Sequence, residues 1–239
     1  MSEFQAAIES DPLIEYQIQA NLNLYDSPAL TGLATQAVAG RQLRLDAATL
    51  GEQQQVAGQA VRVRLCEDDY PGWLPLEDVD LIEVAESSYQ VIALSEGMIR
   101  DRLPQVLAFA HRAMAQPNHY LWGGTVGPNY DCSGLVQTAF AATGIWIPRD
   151  AYQQEEFVQP IALAEAQPGD LVFFGTPEKA THVGLHLGEG YYIHSSGKDQ
   201  GRNGIAIDRL AESGDRVTQA YLQQLRGAGR VVSCYLACN

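Results

Sequence analysis

The sequence is short of several features that define whole classes of proteins. Only four cysteines occur, Cys66, Cys132, Cys234 and Cys238, without the density or paired spacing of a disulfide scaffold or a zinc knuckle. No apolar stretch approaches the roughly 20 residues of a membrane-spanning helix, and Met1–Asp11 lacks the basic region and apolar core of an export signal. We therefore expect a reducing, cytoplasmic setting without a membrane anchor, with a Cys234–Cys238 disulfide left open.

Basic residues are also scarce. The chain has 15 lysines and arginines against 29 acidic residues, which gives a formal net charge of -14. Such a charge repels phosphate backbones and anionic lipid head groups over a Debye length, so nucleic acids and membranes are not expected partners. The 239 residues and the apolar share of 46% suit one large domain or two small ones with a real core.

The chain changes character near Glu86. Before it, strand-like runs at Tyr16–Ala20, Gln42–Leu45 and Val61–Leu65 alternate between apolar and polar residues, which favours a small antiparallel barrel. After it, apolar residues recur at helical spacing from Ile99 to Met114. We expect an α+β protein with a barrel and N-terminal extension over 1–86, a linker over 87–98 and a second domain over 99–239.

Cys132 is the candidate nucleophile. A glycine-rich loop, Tyr120–Gly127, precedes Asp131, which stands where an N-cap belongs before a helical run over Ser133–Thr143. The free amides and the dipole of a helix N-terminus lower a thiol's pKa from its reference near 8.5, and the same amides can hold an oxyanion. The alternative is that Cys132 is a small buried apolar residue, the usual fate of a free cysteine.

Three of the five histidines lie on two strand-like runs, His182 and His186 on one and His194 on the next. If Gly188-Glu189-Gly190 forms a three-residue loop, His194 lies opposite Gly184, and both other histidines become its diagonal neighbours on one face. A two-residue loop would shift the register and place His194 on the other face. Alternatively, each histidine is an ordinary strand residue.

Two sets of motifs resemble known families. The upstream segments Leu22–Pro28 and Tyr70–Pro75 are similar to bacterial SH3-type domains. The region from Ile99 onward resembles the NlpC/P60 family of cysteine peptidases in Tyr120–Gly124, Asp131–Val136, Gly144–Arg149, Gln167–Phe174, His182–Leu185 and Tyr192–Ser195. The second resemblance implies a papain-like fold, in which a helix that bears the cysteine packs on an antiparallel sheet that bears the histidines.

The NlpC/P60 resemblance also implies roles for individual residues. Cys132 becomes the nucleophile, His182 its base, His194 the group that orients the base, and Tyr120 a hydroxyl near the oxyanion; His186 has no role. The implied substrate is the γ-D-glutamyl to diamino acid bond of murein stem peptides. Members with an SH3-type domain use it to close the cleft against a free L-alanyl amino end. No cofactor or metal is implied.

A desolvated α-ammonium needs carboxylate or hydroxyl partners. Asp131 and Ser133 beside the nucleophile, and Asp69 and Tyr70 in the first domain, are the candidates. Asp131 competes for this role with its function as N-cap, and Asp69 and Tyr70 compete with an ordinary solvated loop. Arg149 is a candidate to bind a carboxylate, either of the substrate or, preferentially, of the protein itself.

Three other interpretations stay open from the sequence. A cysteine with two or three histidines can bind zinc, although Cys132 lies 50 residues before His182 and no local zinc motif is present. The chain could instead bind wall peptides without cutting them. The same residues could also support another acyl hydrolysis or transfer. We expect a monomer.

Overall fold

The computed structural model describes residues 14–45, 56–57 and 59–236, with only the backbone of 56–57. They form two compact units. The first contains the described residues up to Val91 together with Leu236, and the second is Ile92–Tyr235. The change from one unit to the other falls inside the segment predicted as a linker, 87–98.

The first unit is one antiparallel sheet with the strand order β3-β2-β7-β6-β4-β1-β8, in which β5 pairs with β6. Its strands are β1 (Glu15–Ile18), β2 (Leu22–Tyr25), β3 (Leu33–Ala37), β4 (Gln42–Leu45), β5 (Val56–Ala57), β6 (Ala60–Leu65), β7 (Pro71–Pro75) and β8 (Ile82–Val84). A short 3-10 helix, Leu76–Leu81, leads into β8.

Alternation along these strands builds the first core, as the sequence pattern predicts. Successive side chains of a strand point to opposite faces, and one face of the sheet is buried. Its fully buried members include Ile18, Leu24, Leu43, Val63, Leu65 and Leu74. Among the described strands, no pairing joins β3 to β8, so they do not form the closed barrel that we expected.

The second unit places four helices on and around a six-stranded antiparallel sheet of order β13-β12-β11-β10-β14-β9. The helices are α1 (Glu96–Met114), α2 (Cys132–Ala141), α3 (Ala151–Phe157) and α4 (Arg216–Gln223). The strands are β9 (Gln159–Ile161), β10 (Leu171–Gly175), β11 (Ala180–Gly188), β12 (Tyr191–Ser196), β13 (Gly204–Arg209) and β14 (Leu225–Arg230). The α+β class is therefore confirmed.

The two faces of this sheet carry different cores. Odd-numbered residues of the central strands, among them Phe173, Val183 and Ile193, pack in one cluster with α1 and α2. Even-numbered residues, such as Phe174 and Tyr192, pack with Tyr221 of α4. The even face is also the face of His182 and His194.

The β11–β12 hairpin keeps the predicted register by a different turn. Leu185 pairs with Ile193, as the three-residue loop would require, but Gly188 pairs with Tyr191. The loop is therefore the two residues Glu189 and Gly190, both with positive φ (52° and 77°), as a tight hairpin turn of the primed type needs. A β-bulge between His186 and Gly188 absorbs the extra residue. The three-residue loop was thus wrong, and the bulge preserves the shared face.

Candidate active site

Cys132 is the first residue of α2, and the predicted cap is present. The Asp131 side chain accepts a hydrogen bond from the Gly134 N–H at 2.6 Å. The Cys132 side chain is almost fully buried, with the residue only 6% exposed. The backbone N–H groups of Val183 and Ser133 lie close enough to its sulfur to favour the thiolate. The sulfur therefore lies beside the peptide bond between His182 and Val183.

Burial sets the ionisation of the thiol. Burial, followed by the charge of Asp131, raises the pKa of Cys132 to about 12, although the N–H groups of Val183 and Ser133 act in the opposite direction. The expectation of a lowered pKa was wrong, because the cost of taking a thiolate out of water exceeds the gain from the amides at a helix start. The thiol is therefore protonated at rest, and a nucleophilic role requires a base that takes its proton.

The imidazole rings of His182 and His194 meet, as the register predicts. Nε2 of His182 lies 2.7 Å from Nδ1 of His194, and Nε2 of His194 lies 2.9 Å from Oδ2 of Asp208. His194 has no exposed surface, and His182 is 8% exposed. His194 is therefore held between His182 and Asp208.

Both histidines are neutral at neutral pH. Burial, then the neighbouring His194, places the pKa of His182 well below its usual range, while Asp208 acts in the opposite direction. Burial also lowers the pKa of His194, against its hydrogen bond to Asp208. A neutral imidazole has one unprotonated nitrogen, so His182 can accept a proton from the thiol.

Tyr221 covers the histidine pair. Its ring stacks on His182, with 4.5 Å between centroids and 28° between planes, and meets His194 edge-on at 5.0 Å. Its hydroxyl lies 2.8 Å from the Ser196 hydroxyl. Burial raises the pKa of Tyr221 to about 12, and the charge of Cys132 adds to this shift. Tyr221 is therefore near both the thiol and its candidate base.

Tyr120 also lies near the thiol. Burial raises the pKa of its hydroxyl, and the charges of Cys132 and Asp131 raise it further. The phenol therefore keeps its proton at neutral pH and can donate a hydrogen bond, as a group beside an oxyanion must.

Asp131, Ser133 and Arg149 form one buried cluster. Arg149 is 1% exposed and binds Asp131 bidentately, with Nη1 at 3.1 Å from Oδ1 and Nη2 at 2.5 Å from Oδ2. Its Nη1 also donates to the Ser133 hydroxyl at 3.0 Å, and the Gly123 N–H donates to Oδ2 of Asp131 at 2.9 Å. The carboxylate that Arg149 binds therefore belongs to the protein, and Asp131 acts as the helix cap.

Asp69 and Tyr70 lie in the first unit. Asp69 accepts hydrogen bonds from Arg44 at 2.7 Å and from Arg64 at 3.3 Å, and Tyr70 packs against the first core. Asp69 is thus part of an arginine-bound turn, and the expectation of an ordinary solvated loop does not describe it. Its role toward a substrate stays a prediction.

Several other predictions concern metals, cysteines and membranes. Within the described ranges, no group of three or more metal-ligating side chains is present, and no helix is long and apolar enough to cross a membrane. Cys66, Cys132 and Cys234 are free thiols. Cys238 lies outside the described residues. His186 is buried opposite Tyr192 and takes no part in the His182–His194 contact.

Asp208, Arg202 and Tyr221 also belong to the site, although the sequence did not predict them. A signal for Asp208 existed: β12 and β13 pair with Tyr192 opposite Asp208 and His194 opposite Ala206, so Asp208 is a diagonal neighbour of His194 on the same face. Apolar and polar residues alternate only weakly along β13, so the sequence pattern did not predict this strand. Tyr221 follows only from the packing of α4, which no local pattern reveals.

The fold and these contacts define a class of protein: an α+β protein with a cysteine at a helix start beside an oriented histidine pair on an antiparallel sheet. Residues 117–226 match the NlpC/P60 family, and residues 24–79 match the bacterial dipeptidyl-peptidase Sh3 domain. The chain therefore carries a bacterial SH3 domain followed, along the sequence, by an NlpC/P60 family domain.

Known proteins similar to this chain are named as endopeptidases. The probable endopeptidase p60 of Listeria seeligeri is 38% identical over 112 residues, which are 47% of this chain and 19% of that protein. The bifunctional muramidase/DL-endopeptidase CwlT of Bacillus subtilis is 44% identical over 81 residues, 32% of this chain and 25% of that protein. The chain thus matches about a fifth to a quarter of the length of these relatives.

Among solved structures, an NlpC/P60 family protein from Bacillus cereus is 22% identical, with a TM-score of 0.44. The match covers 95% of this chain and 66% of that chain.

Proposed function

We propose that this protein is a cysteine endopeptidase that hydrolyses the γ-D-glutamyl to diamino acid bond of murein stem peptides with a free N-terminal L-Ala. In this proposal, the protein acts in cell-wall peptide turnover or recycling and is a monomer in the cytoplasm. One observation supports the chemistry above all: the Cys132 sulfur lies near the N–H of Val183, the residue directly after His182, and Nε2 of His182 contacts His194 at 2.7 Å. A papain-like arrangement of α2 on the sheet, and an SH3-like character of the first unit, belong to the same proposal.

The reaction has two steps. In the first, His182 takes the thiol proton as the sulfur attacks the peptide carbonyl carbon, and the oxyanion accepts hydrogen bonds from Tyr120 and from the amides at the start of α2. The C–N bond breaks as His182 gives its proton to the leaving amine, and a thioester remains on Cys132. In the second, His182 deprotonates a water that attacks the thioester, and the thiol and a free γ-carboxyl group are released.

The neighbouring residues take different parts in this proposal. Arg149 holds Asp131 and Ser133 in place at the start of α2, so all three support the thiol by position. Asp131 and Ser133 also remain our candidates to contact the substrate's amino end, with Asp69 and Tyr70 from the first unit. The preference for a free amino end rests on the resemblance to SH3-containing members of the family.

Replacement of Cys132 by alanine tests the proposal. We expect wild-type protein to cleave L-Ala-γ-D-Glu-diaminopimelate and Cys132→Ala to lose all detectable turnover, because the nucleophile is gone. Cys66→Ala, which removes another buried thiol in the first unit, is the matched control and should keep its activity. Products are resolved by chromatography and mass spectrometry.

Other outcomes would favour the rival functions. If wild type and Cys132→Ala bind the peptide equally and neither cleaves it, the protein is a wall-peptide binder. Inhibition by chelators rather than by thiol alkylation would indicate a zinc enzyme. An N-acetylated peptide cleaved as fast as the free one would contradict recognition of the amino end while leaving the chemistry intact.

The pH dependence of kcat/KM should reflect a buried neutral base. His182 acts only when unprotonated, and burial lowers its pKa below 6.5, so activity is present above that pKa and is lost as the pH falls through it. His194, Asp208 and Tyr221 are the titratable groups around it. We therefore expect an acidic limb below pH 6.5 in a pH profile of kcat/KM. A limb at or above pH 6.5 would contradict the assignment.

A further inference from the structure

A chain of polar contacts extends beyond the histidine pair. Oδ2 of Asp208 lies 2.9 Å from Nε2 of His194 and 3.0 Å from Nε of Arg202, and Nη2 of Arg202 donates to the other oxygen. The Thr218 hydroxyl donates to that oxygen at 3.4 Å. Arg202 also binds Asp215, the N-cap of α4, at 2.6 Å. Both oxygens of Asp208 therefore accept hydrogen bonds.

These contacts keep Asp208 ionised. Burial raises the pKa of a carboxyl group, but the hydrogen bonds from His194 and Arg202 outweigh it and hold the pKa of Asp208 well below its usual range. An ionised carboxylate only accepts hydrogen bonds. Nε2 of His194 must therefore carry the proton that lies between the two groups.

The proton on Nε2 of His194 determines which nitrogen of His182 carries a proton. A neutral His194 that carries its proton on Nε2 has a lone pair on Nδ1, which can only accept. The contact at 2.7 Å then requires a proton on Nε2 of His182. In a neutral His182, Nδ1 is consequently the nitrogen with the free lone pair.

We propose that Asp208, held by Arg202, is a positioning residue that sets the tautomers of both histidines and so makes Nδ1 of His182 the base for Cys132. This inference rests on the proposed function for its catalytic consequence. The tautomers themselves are a property of the resting protein and can be measured without a substrate. The other neighbours of His194, Tyr192 and Tyr221, are uncharged rings at 4.8 and 5.0 Å.

Leucine at position 208 would remove this arrangement. Its side chain is similar to that of aspartate in shape but accepts no hydrogen bond, so the Nε2–H group of His194 would be buried without an acceptor, which is unfavourable. A lone pair on Nε2 would instead face the positive charge of Arg202, whose effect already reaches His194. His194 then carries its proton on Nδ1, His182 follows, and the lone pair toward Cys132 is lost.

The experiment is ¹⁵N NMR of the histidine rings in the full chain. In wild type at neutral pH, we expect both His182 and His194 to carry their protons on Nε2. In Asp208→Leu, both should carry them on Nδ1, and kcat should fall by about 10²–10⁴-fold, the usual contribution of a general base. Asp208→Glu, which keeps the carboxylate, should keep the wild-type tautomers and recover part of kcat.

Asp170→Leu is the matched control. Asp170 is also a buried aspartate bound by an arginine, Arg230, at 2.7 Å, yet it does not contact the histidine pair. This variant should match Asp208→Leu in any loss of stability, with unchanged tautomers and kcat. Unchanged tautomers in Asp208→Leu would overturn the inference, whether or not the peptide is cleaved. Correct tautomers in a protein that cleaves nothing would instead contradict the proposed function.

Arg202→Met supplies a second test if Asp208→Leu does not fold. The Arg202 side chain is 25% exposed, so its loss is easier to tolerate, and its charge lowers the pKa of His194. The pH at which His194 protonates should therefore rise in NMR titrations of Arg202→Met. An unchanged titration would overturn the role of Arg202 in holding this arrangement.

Discussion

Replacement of Arg149 by methionine is expected to lower the free energy of unfolding by about 3–5 kcal/mol, the usual effect of removing one partner of a buried ion pair. Arg149 is 1% exposed and donates to both oxygens of Asp131. Without it, the Asp131 carboxylate would stay buried with only neutral donors. Because Asp131 caps α2, we also expect kcat to fall as Cys132 loses its fixed position. Urea unfolding and peptide turnover measure the two effects.

Arg226→Met is the matched control. Arg226 binds Glu155 at 2.7 Å in the same unit, but both side chains are more than a fifth exposed. Exposed ion pairs contribute about 0–1 kcal/mol. The double variant Asp131→Asn/Arg149→Met should be more stable than Arg149→Met, because asparagine also caps helices and leaves no buried charge. If Arg149→Met and Arg226→Met unfold alike, the buried cluster does not hold the helix start.

Replacement of Gly134 by alanine should disrupt the same helix start by steric conflict. A Cβ at Gly134 would lie 2.1 Å from the carbonyl oxygen of Gly124 and 2.9 Å from Oδ1 of Asp131. The Gly124 carbonyl also accepts the Asp131 N–H, so it cannot move without breaking that bond. We expect a loss of about 1–3 kcal/mol in unfolding free energy. We also expect about a 10²-fold loss of kcat, since misplacement of a reacting group by about 1 Å has this effect.

Gly97→Ala gives the comparison within the same fold. Gly97 lies in the first turn of α1, where a Cβ would meet nothing closer than 4.0 Å. Replacement of glycine by alanine at such a helical position usually stabilises by about 0.4–1 kcal/mol. Opposite signs for the two variants in thermal and urea unfolding are the expected result. Equal stability of Gly134→Ala and Gly97→Ala would show that the loop at Gly124 can move to make room for the added methyl group.

Much of the candidate site was visible in local patterns. The cap at Asp131 and the helix after it follow from short-range preferences, and the structure confirms them. The shared face of His182 and His194 follows from the two-residue period of a strand. Even there, the correct register needed a bulge that compensated for a shorter turn than expected. Local patterns therefore determine the face of a side chain better than the geometry of its turn.

The ionisation of the thiol could not be predicted from the sequence. The helix start at Cys132 argued for a lowered pKa, whereas burial raises it to about 12. Desolvation depends on all the atoms that surround a group, and these come from distant parts of the chain. For the same reason, the cover that Tyr221 provides over His182 was not foreseen.

The sequence by itself determined the order of the two domains, the start of α2 at Cys132 and the strand face of the two histidines, because caps and periodicity are local properties. Only the tertiary structure decided that Arg149 binds Asp131, that Asp208 binds both His194 and Arg202, and that the thiol is protonated. These depend on contacts between strands and helices far apart in the chain. Charge and proton positions at this site are therefore properties of the folded chain.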